Sequence, residues 1–258
     1  MDKKRVIAII PARMASSRFP GKPMALIHGI PMVGHCYFRV KMCPEIDETY
    51  VATCDPVIQD YISSIDGKAI LTATTHERAS DRTAEAMLKV EEDTGSKTDI
   101  VVMVQGDEPM DTPKMISEAL QPILEDETVS IVNLMGDISD LEEFEYSNTV
   151  KVVVGLDGNA IYFSREPIPS RKKGFAEVPM RKQICVIPFR REYLLEFNQT
   201  PETPLEVIES VDMLRIIESG GRVKMVMTSG ESYGVDTVAD LEKVTERMTN
   251  DPLMARYV

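Results

Sequence analysis

The feature that most constrains this chain is a series of short apolar or β-branched runs, each followed by a stretch of helical spacing. The runs are Val6 to Ile10, Thr49 to Thr53, Ala69 to Thr72 and Ile100 to Val104. All are too short for helices, and such runs suit strands covered on both faces of a parallel sheet. Between and after them, Met32 to Met42, Val57 to Ile65 and Arg82 to Glu92 read as helices. Alternating strand and helix is the signature of βαβ units, so the expected class is α/β, with a mostly parallel central sheet flanked by helices. Ile100 to Val104, bounded by Asp99 and Gln105, belongs near the centre of that sheet.

The first strand empties into a cationic loop. Pro11 ends the run, and Arg13, Arg18 and Lys22 follow beside Gly21, whose missing side chain lets a ligand approach the backbone closely. The loop fits neither the Walker spacing nor the dinucleotide Gly-x-Gly-x-x-Gly spacing. Three cations between a strand and Pro20-Gly21-Lys22-Pro23 nevertheless suit a polyanion such as a triphosphate. At the other candidate edge, Gln105-Gly106-Asp107-Glu108-Pro109 puts an acidic pair just past the carboxyl end of the central strand, where open α/β sheets bind ligands.

From about residue 137 to 191 the texture changes. Val150 to Val154 and Ile184 to Pro188 read as strands, and Leu156-Asp157-Gly158-Asn159 reads as a hairpin turn before Ala160 to Phe163. Pro167 to Pro179 reads as a mobile loop. This section is expected to form an antiparallel extension of the sheet that serves dimerisation, within a single catalytic domain of residues 1–258. Leu205 to Ser219 reads as one amphipathic helix, Val223 to Met227 as the last strand, and Thr237 to Met248 as a closing helix with Thr237 as N-cap and Asp240 completing the box.

A formal net charge of -13 argues against nucleic acid as a partner, so an anionic substrate must meet a local cationic patch. No apolar run approaches a membrane span, which implies a soluble, cytoplasmic protein with no membrane partner. Cys36, Cys43, Cys54 and Cys185 form no C-x-x-C pair and read as reduced packing residues.

Two carboxylates sit in loops beside element ends rather than on helix faces: Asp107 and Asp236. A hard cation such as Mg²⁺ takes one or two carboxylates plus phosphates and waters, which suits two aspartates that converge in the fold. Singly, Asp107 is also compatible with an Asx-turn and Asp236 with a helix entry.

The segments Pro-Ala-Arg...Arg-Phe-Pro-Gly-Lys-Pro, Gln-Gly-Asp-Glu-Pro, Tyr-Phe-Ser-Arg-Glu-Pro-Ile-Pro, Pro-Leu-Glu-x-Ile-Glu-Ser and Gly-Val-Asp-Thr occur in that order across nearly the whole chain. With them the sequence resembles the CMP-Kdo synthetases, the 3-deoxy-manno-octulosonate (Kdo) cytidylyltransferases of lipopolysaccharide biosynthesis. The resemblance implies a nucleotide-diphospho-sugar transferase fold, CTP and an acidic keto-sugar as substrates, Mg²⁺ as cofactor and a homodimer. It assigns Arg13, Arg18 and Lys22 to the triphosphate, and Asp107 and Asp236 to magnesium. Arg13, Lys22, Asp107 and Asp236 are thereby the catalytic set. Asp107 also joins the nucleotide contacts with His76, Ser80, Asp81 and Arg82 of the cytidine-recognising stretch. Gln105, Arg165, Gln183, Glu206 and Glu209 are assigned to the sugar acid.

The pattern departs from the family at Gln183, where histidine is usual, at Ile187, where tyrosine is usual, and at Val207. In the cytidine stretch Arg78 and Ala79 stand for Ser-Gly, and Ser80 for threonine. The acceptor-side changes suggest a related acid sugar, a modified Kdo or a nonulosonate, as against neutral drift within one specificity. A non-catalytic nucleotide-binding paralogue is disfavoured because both aspartates and all three loop cations are present. A glycosyltransferase would normally carry an Asp-x-Asp motif at the sheet edge, where this chain has Asp107-Glu108.

Overall fold

In the computed structural model, which describes residues 3–15, 18–173 and 177–257, β1 (Val6–Pro11) runs through the middle of the first sheet. It pairs in parallel with β4 (Glu48–Thr53) on one side and β6 (Ile100–Val104) on the other. Beyond β4 lies β5 (Ala69–Leu71), also parallel, and beyond β6 lies β11 (Val186–Arg190), antiparallel. The side chains of β1 alternate between two cores, as a strand covered on both faces requires. Val6, Ala8 and Ile10 pack with α1 (Met32–Lys41), α2 (Pro56–Ser64) and α4 (Pro113–Glu125). Ile7 and Ile9 face Ala86, Met87 and Val90 of α3 (Ala79–Thr94) and Leu194 and Phe197 of α6 (Arg191–Gln199). Ile7 and Ile9 are both fully buried, and each such side chain stabilises the fold by about 1.5–3 kcal/mol. A two-strand ribbon, β2 (Leu26–Ile27) and β3 (Ile30–Pro31), leads from the cationic loop into α1.

A second sheet has the order β12 (Lys224–Met227), β7 (Val132–Asp137), β10 (Arg181–Ile184), β8 (Lys151–Val154), β9 (Ala160–Ser164). Except for the β7–β12 pair its ladders are antiparallel; of the 137–191 section, β8, β9 and β10 lie in this second sheet and β11 joins the first as its antiparallel edge strand. At the hairpin between β8 and β9, Gly158 adopts a φ of 75°, and the turn returns to β12 through the Met225 N–H to Gly158 carbonyl bond (2.9 Å).

Two expectations are corrected. The predicted strand Ile184 to Pro188 is two strands in different sheets, broken at Cys185. The Cys185 N–H donates to the Glu108 carboxylate (3.2 Å) and its carbonyl accepts from the Gln105 N–H (3.2 Å), so a side chain competes with the ladder and the chain changes sheet there. The predicted helix Leu205 to Ser219 is also two elements, α7 (Pro204–Glu209) and α8 (Met213–Glu218). Ser210 takes a left-handed φ of 52° between them. That turn folds α8 back, so the buried Arg215 guanidinium reaches both oxygens of Glu206 and the carbonyls of Phe197 (3.0 Å) and Thr200 (2.9 Å). Val207 and Ile208, which a continuous helix would share with the core, are 61% and 74% exposed.

Smaller differences lie at element ends. The helix expected from Arg82 begins at Ala79. The sequence reading did not place α4, β7, α6 or the short α5 (Leu141–Glu145). The final helix, α9 (Val238–Arg247), opens on the expected capping box: Thr237 accepts from the Asp240 N–H (3.2 Å), and the Asp240 carboxylate accepts from the Thr237 N–H (2.8 Å). Of the loop Pro167 to Pro179, residues 174–176 lie outside the described residues, as do residues 16 and 17 of the cationic loop.

Replacing one member of a buried ion pair strands the other. Arg215→Met should therefore cost about 3–5 kcal/mol of unfolding free energy in urea titrations. A loss under about 1 kcal/mol would mean that the α7–α8 turn does not depend on this pair.

Candidate active site

The loop after β6 and the loop before α9 are joined by one backbone hydrogen bond, from the Val235 N–H to the Asp107 carbonyl (2.9 Å). That bond sets Asp107 and Asp236 beside each other although they are far apart in sequence. Lys22, delivered by the cationic loop, donates to both carboxylates, at 2.5 Å to Asp107 and 3.3 Å to Asp236. Arg18 adds a second cation on Asp236 (2.9 Å) and also donates to the side-chain oxygen of Asn148. Burial acts to lower the Lys22 pKa, but the two aspartates outweigh it and hold the ammonium above its usual 10.5.

Two glycines make this convergence possible. Gly21 has a φ of 77°, and its N–H donates to the Met14 carbonyl (3.0 Å), which folds the loop so that Lys22 turns inward. At Gly106 a Cβ would lie 3.1 Å from the Pro11 carbonyl oxygen, so a side chain there would press the Asp107 loop and the end of β1 apart by a few tenths of an ångström. The acidic pair expected at this edge divides. Asp107 faces Lys22, whereas Glu108 is 9% exposed and takes the Cys185 N–H and the Ser232 hydroxyl. Burial, reinforced by Asp111 and Asp107, raises the Glu108 pKa well above the usual carboxylate range.

These residues line a cleft of about 1160 Å³ along the joint between the two sheets. On the side toward β5 it is bounded by Arg13, His76 and Arg82. Arg13 is exposed and donates to the His76 carbonyl (3.3 Å). Arg82, 2% exposed, donates to the carbonyls of Ala73 (3.3 Å) and His76 (3.2 Å) and to the Thr72 hydroxyl, so its guanidinium shapes the 72–76 loop from within. The His76 ring is held by Glu85, which also takes the Ala73 N–H (2.9 Å). Burial works to raise the Glu85 pKa, but Lys89, the Ala73 N–H and His76 together bring it down to about 2. Ser80 and Asp81 belong to the first turn of α3 and do not line the cleft, and Ser80 is fully buried.

The opposite side carries Gln105, Arg165 and Gln183. Arg165 spends three N–H groups on the carbonyls of Glu209 (2.6 Å), Ser147 (3.1 Å) and Ser210 (3.2 Å). A guanidinium has five, so one is left on each Nη. Gln183 is oriented by the fully buried Asn133. The Asn133 amide nitrogen donates to the carbonyls of Leu134 (2.9 Å) and Ile184 (2.8 Å), so its oxygen must accept from the Gln183 nitrogen at 2.6 Å. The Gln183 carbonyl oxygen is left as an acceptor on the cleft side. Ile187, 1% exposed, also lines this region.

Glu206 and Glu209 stand apart from the cleft surface. Glu206 is committed to Arg215, and Glu209 accepts from the Tyr162 hydroxyl (3.1 Å), the Ser164 hydroxyl (2.8 Å) and the Arg165 N–H (2.8 Å). Both brace the elements that carry Arg165. Asn148, Asn133 and Glu85 were missed from sequence, since single amides and acids in polar stretches carry no spacing signal.

Among the described residues no cluster of three or more His, Cys, Asp or Glu is placed to hold a metal unaided. Asp107 and Asp236 nevertheless both reach a single cationic nitrogen, so the pair fits a hard divalent ion that draws its remaining oxygens from substrate and water.

A family model described as "Cytidylyltransferase" matches residues 7–229. The chain is 40% identical over 255 residues to the 3-deoxy-manno-octulosonate cytidylyltransferase of Geobacter metallireducens, covering 95% of this chain and 98% of the relative. It is 41% identical over 254 residues to the protein of the same name from Geotalea uraniireducens, covering 95% and 99%. A solved structure of CMP:2-keto-3-deoxy-manno-octonic acid synthetase complexed with CTP matches with a TM-score of 0.85 at 36% identity, over 99% of this chain and 100% of that one. With identity of this order along nearly its whole length and the acidic and cationic loops brought to one cleft, the chain belongs to the 3-deoxy-manno-octulosonate cytidylyltransferase family.

Proposed function

We propose that the cleft couples CTP to an acidic 3-deoxy-2-keto sugar, Kdo or a modified Kdo, giving the CMP-sugar and pyrophosphate. The observation that carries this reading is the Lys22 ammonium shared by Asp107 and Asp236 at the cleft wall, in a chain of this family. Arg13, Arg18 and Lys22 take the triphosphate, and Asp107 and Asp236 hold Mg²⁺, which when bound offsets negative charge on the phosphates. The 72–82 region, with His76, Ser80, Asp81 and Arg82, forms the wall for the cytosine. Only His76 and Arg82 of these reach the cleft surface; Ser80 and Asp81 lie in the first turn of α3 behind it.

The two free Nη N–H groups of Arg165 suit the sugar carboxylate, and Gln105 and the Gln183 oxygen suit its hydroxyls. Held there, the anomeric hydroxyl attacks the α-phosphorus. The new oxygen–phosphorus bond forms as the bond to the β-phosphate oxygen breaks, the hydroxyl proton passes to solvent, and pyrophosphate leaves. The charge that develops on the phosphate oxygens meets the Lys22 ammonium and the loop arginines, already fixed in place. The reading takes the reaction to be cytoplasmic; among the described residues no helix is long and apolar enough to cross a membrane.

The reading includes residues 1–258 as a single catalytic domain whose 137–191 extension serves a homodimer. Ile161 of β9 (56%) and Val207 and Ile208 of α7 are exposed large apolar side chains of the kind a symmetric contact would cover.

Purified protein given CTP, Kdo and Mg²⁺ should release pyrophosphate, and chelation should abolish the release. Asp107→Asn and Asp236→Asn should each lower kcat/KM by about 10²-fold or more. No release with CTP and any keto-sugar acid would end the reading. In light scattering the native protein should have the mass of two chains and Ile208→Asp that of one; a native monomer would remove the dimer.

A further inference from the structure

Lys151 opens β8 with its side chain fully buried, and among the described residues no carboxylate comes within ion-pair distance of it. Its ammonium instead donates to three backbone carbonyls: Tyr146 (3.0 Å), Thr149 (2.6 Å) and Arg165 (2.5 Å). An ammonium has three N–H groups, so every donor is used. The carbonyls belong to two separate pieces of the cleft wall. Tyr146 and Thr149 bracket Ser147, whose carbonyl receives the Arg165 guanidinium, and Asn148, which receives Arg18. The third carbonyl is that of Arg165 itself. One buried cation thus ties the backbone of Arg165 to the segment that joins it to the cationic loop.

We infer that Lys151 is a positioning residue for the acceptor half of the cleft, holding the Arg165 backbone and the 146–149 segment in a single arrangement through its three carbonyl bonds. The inference rests on the reading that Arg165 meets the acceptor's carboxylate. Among the described residues Lys151 makes no hydrogen bond or ion pair to the cationic or acidic loops, and the segment it holds meets the cationic loop through the Asn148 side chain and Arg18, so its direct ties are all on the acceptor side.

The chemistry of the ammonium supplies a test. A neutral amine has two N–H groups and cannot serve three carbonyls, so loss of one proton frees one part of the wall. Burial pulls the Lys151 pKa down to about 8, Arg165 adds to that, and Glu166, Glu209 and Glu143 oppose it. Lys182, its cross-strand neighbour on β10, directs its own ammonium to Glu143 and the Ser232 carbonyl. Because the folded pKa lies below the usual 10.5, from about pH 8 upward the folded chain sheds a proton that the unfolded chain keeps. This group therefore adds stability as pH rises through that window, while the wall loses a bond. A sugar-site defect without a stability defect is the signature, and a merely structural lysine would not give it.

The experiment is the KM of the native enzyme for Kdo and for CTP between about pH 7 and pH 9, with melting temperature measured alongside, and the same series for Lys151→Met. The native KM for the sugar should rise about tenfold through pH 8, the cost of one hydrogen bond to a charged group. The KM for CTP should stay within about twofold and the melting temperature should not fall over the lower half of the range. Lys151→Met should begin from the raised sugar KM and show no further rise. A native sugar KM that is flat through pH 8, or that moves together with the CTP KM, overturns the inference. The native profile decides it even where the variant does not fold, and pyrophosphate release at about pH 7 remains a separate test of the transfer reaction.

Discussion

The cleft depends first on the joint between two loops, where the Val235 N–H to Asp107 carbonyl bond, with the Ser232 hydroxyl on Glu108 beside it, sets the carboxyl end of β6 against the entry to α9. Without it Asp107 and Asp236 are two unrelated acids on separate loops. With it they form a pair close enough to share the Lys22 ammonium. The bond is available because β6 stops at Val104 and the Asp107 loop can lie close against the end of β1, an approach that Gly106 eases. Sheet topology, one glycine and one loop contact therefore precede any chemistry.

The electrostatics follow from that pairing. A chain with a net charge of -13 repels a polyanion at long range, so attraction has to be local. In the free protein Lys22 and Arg18 are already neutralised by Asp107 and Asp236. A polyphosphate alone would leave the two aspartates facing its charge, and a cation alone would leave Lys22 and Arg18 without partners. A polyphosphate and a divalent cation arriving together satisfy both sets, which is the electrostatic reason such a site is suited to a metal–nucleotide complex.

How much of this could be read from the sequence follows from what each signal consists of. β1, β4 and β6 were legible because strands buried on both faces are continuous apolar runs, and α9 was legible because Thr237 and Asp240 spell its cap. β7 was not, since Asn133 and Gly136 interrupt its run, and Asn133 is there to orient Gln183 rather than to pack. The α7–α8 break was hidden because Leu205, Ile208, Val211, Leu214 and Ile217 keep a helical period across it. What ends the helix is the left-handed Ser210 and a long-range guanidinium, neither of which leaves a periodic trace. Of the site, the loop cations and Asp107 and Asp236 were legible as motifs. Glu206 and Glu209 were legible as part of a motif too, but their carboxylates brace the wall from behind.

That bracing follows a common rule around the cleft. Loops that line a binding surface have no ladder for their carbonyls, yet a buried carbonyl must find a donor. Here the donors are side-chain cations: Arg82 for the 73–76 loop, Arg165 for Ser147 and Ser210, and Lys151 for Tyr146 and Thr149. Each gives several N–H groups from one point and so can fix a loop whose own backbone cannot. The arrangement explains how an acidic protein holds positive charge inside its wall: the cations are retained as multivalent donors, with their charge spread over carbonyl dipoles instead of cancelled by acids. It also means that the wall's shape and its charge cannot be altered independently. A substitution that neutralises one of these side chains releases the loop it ties, and this coupling makes the residues behind the cleft as consequential for what enters it as those on its surface.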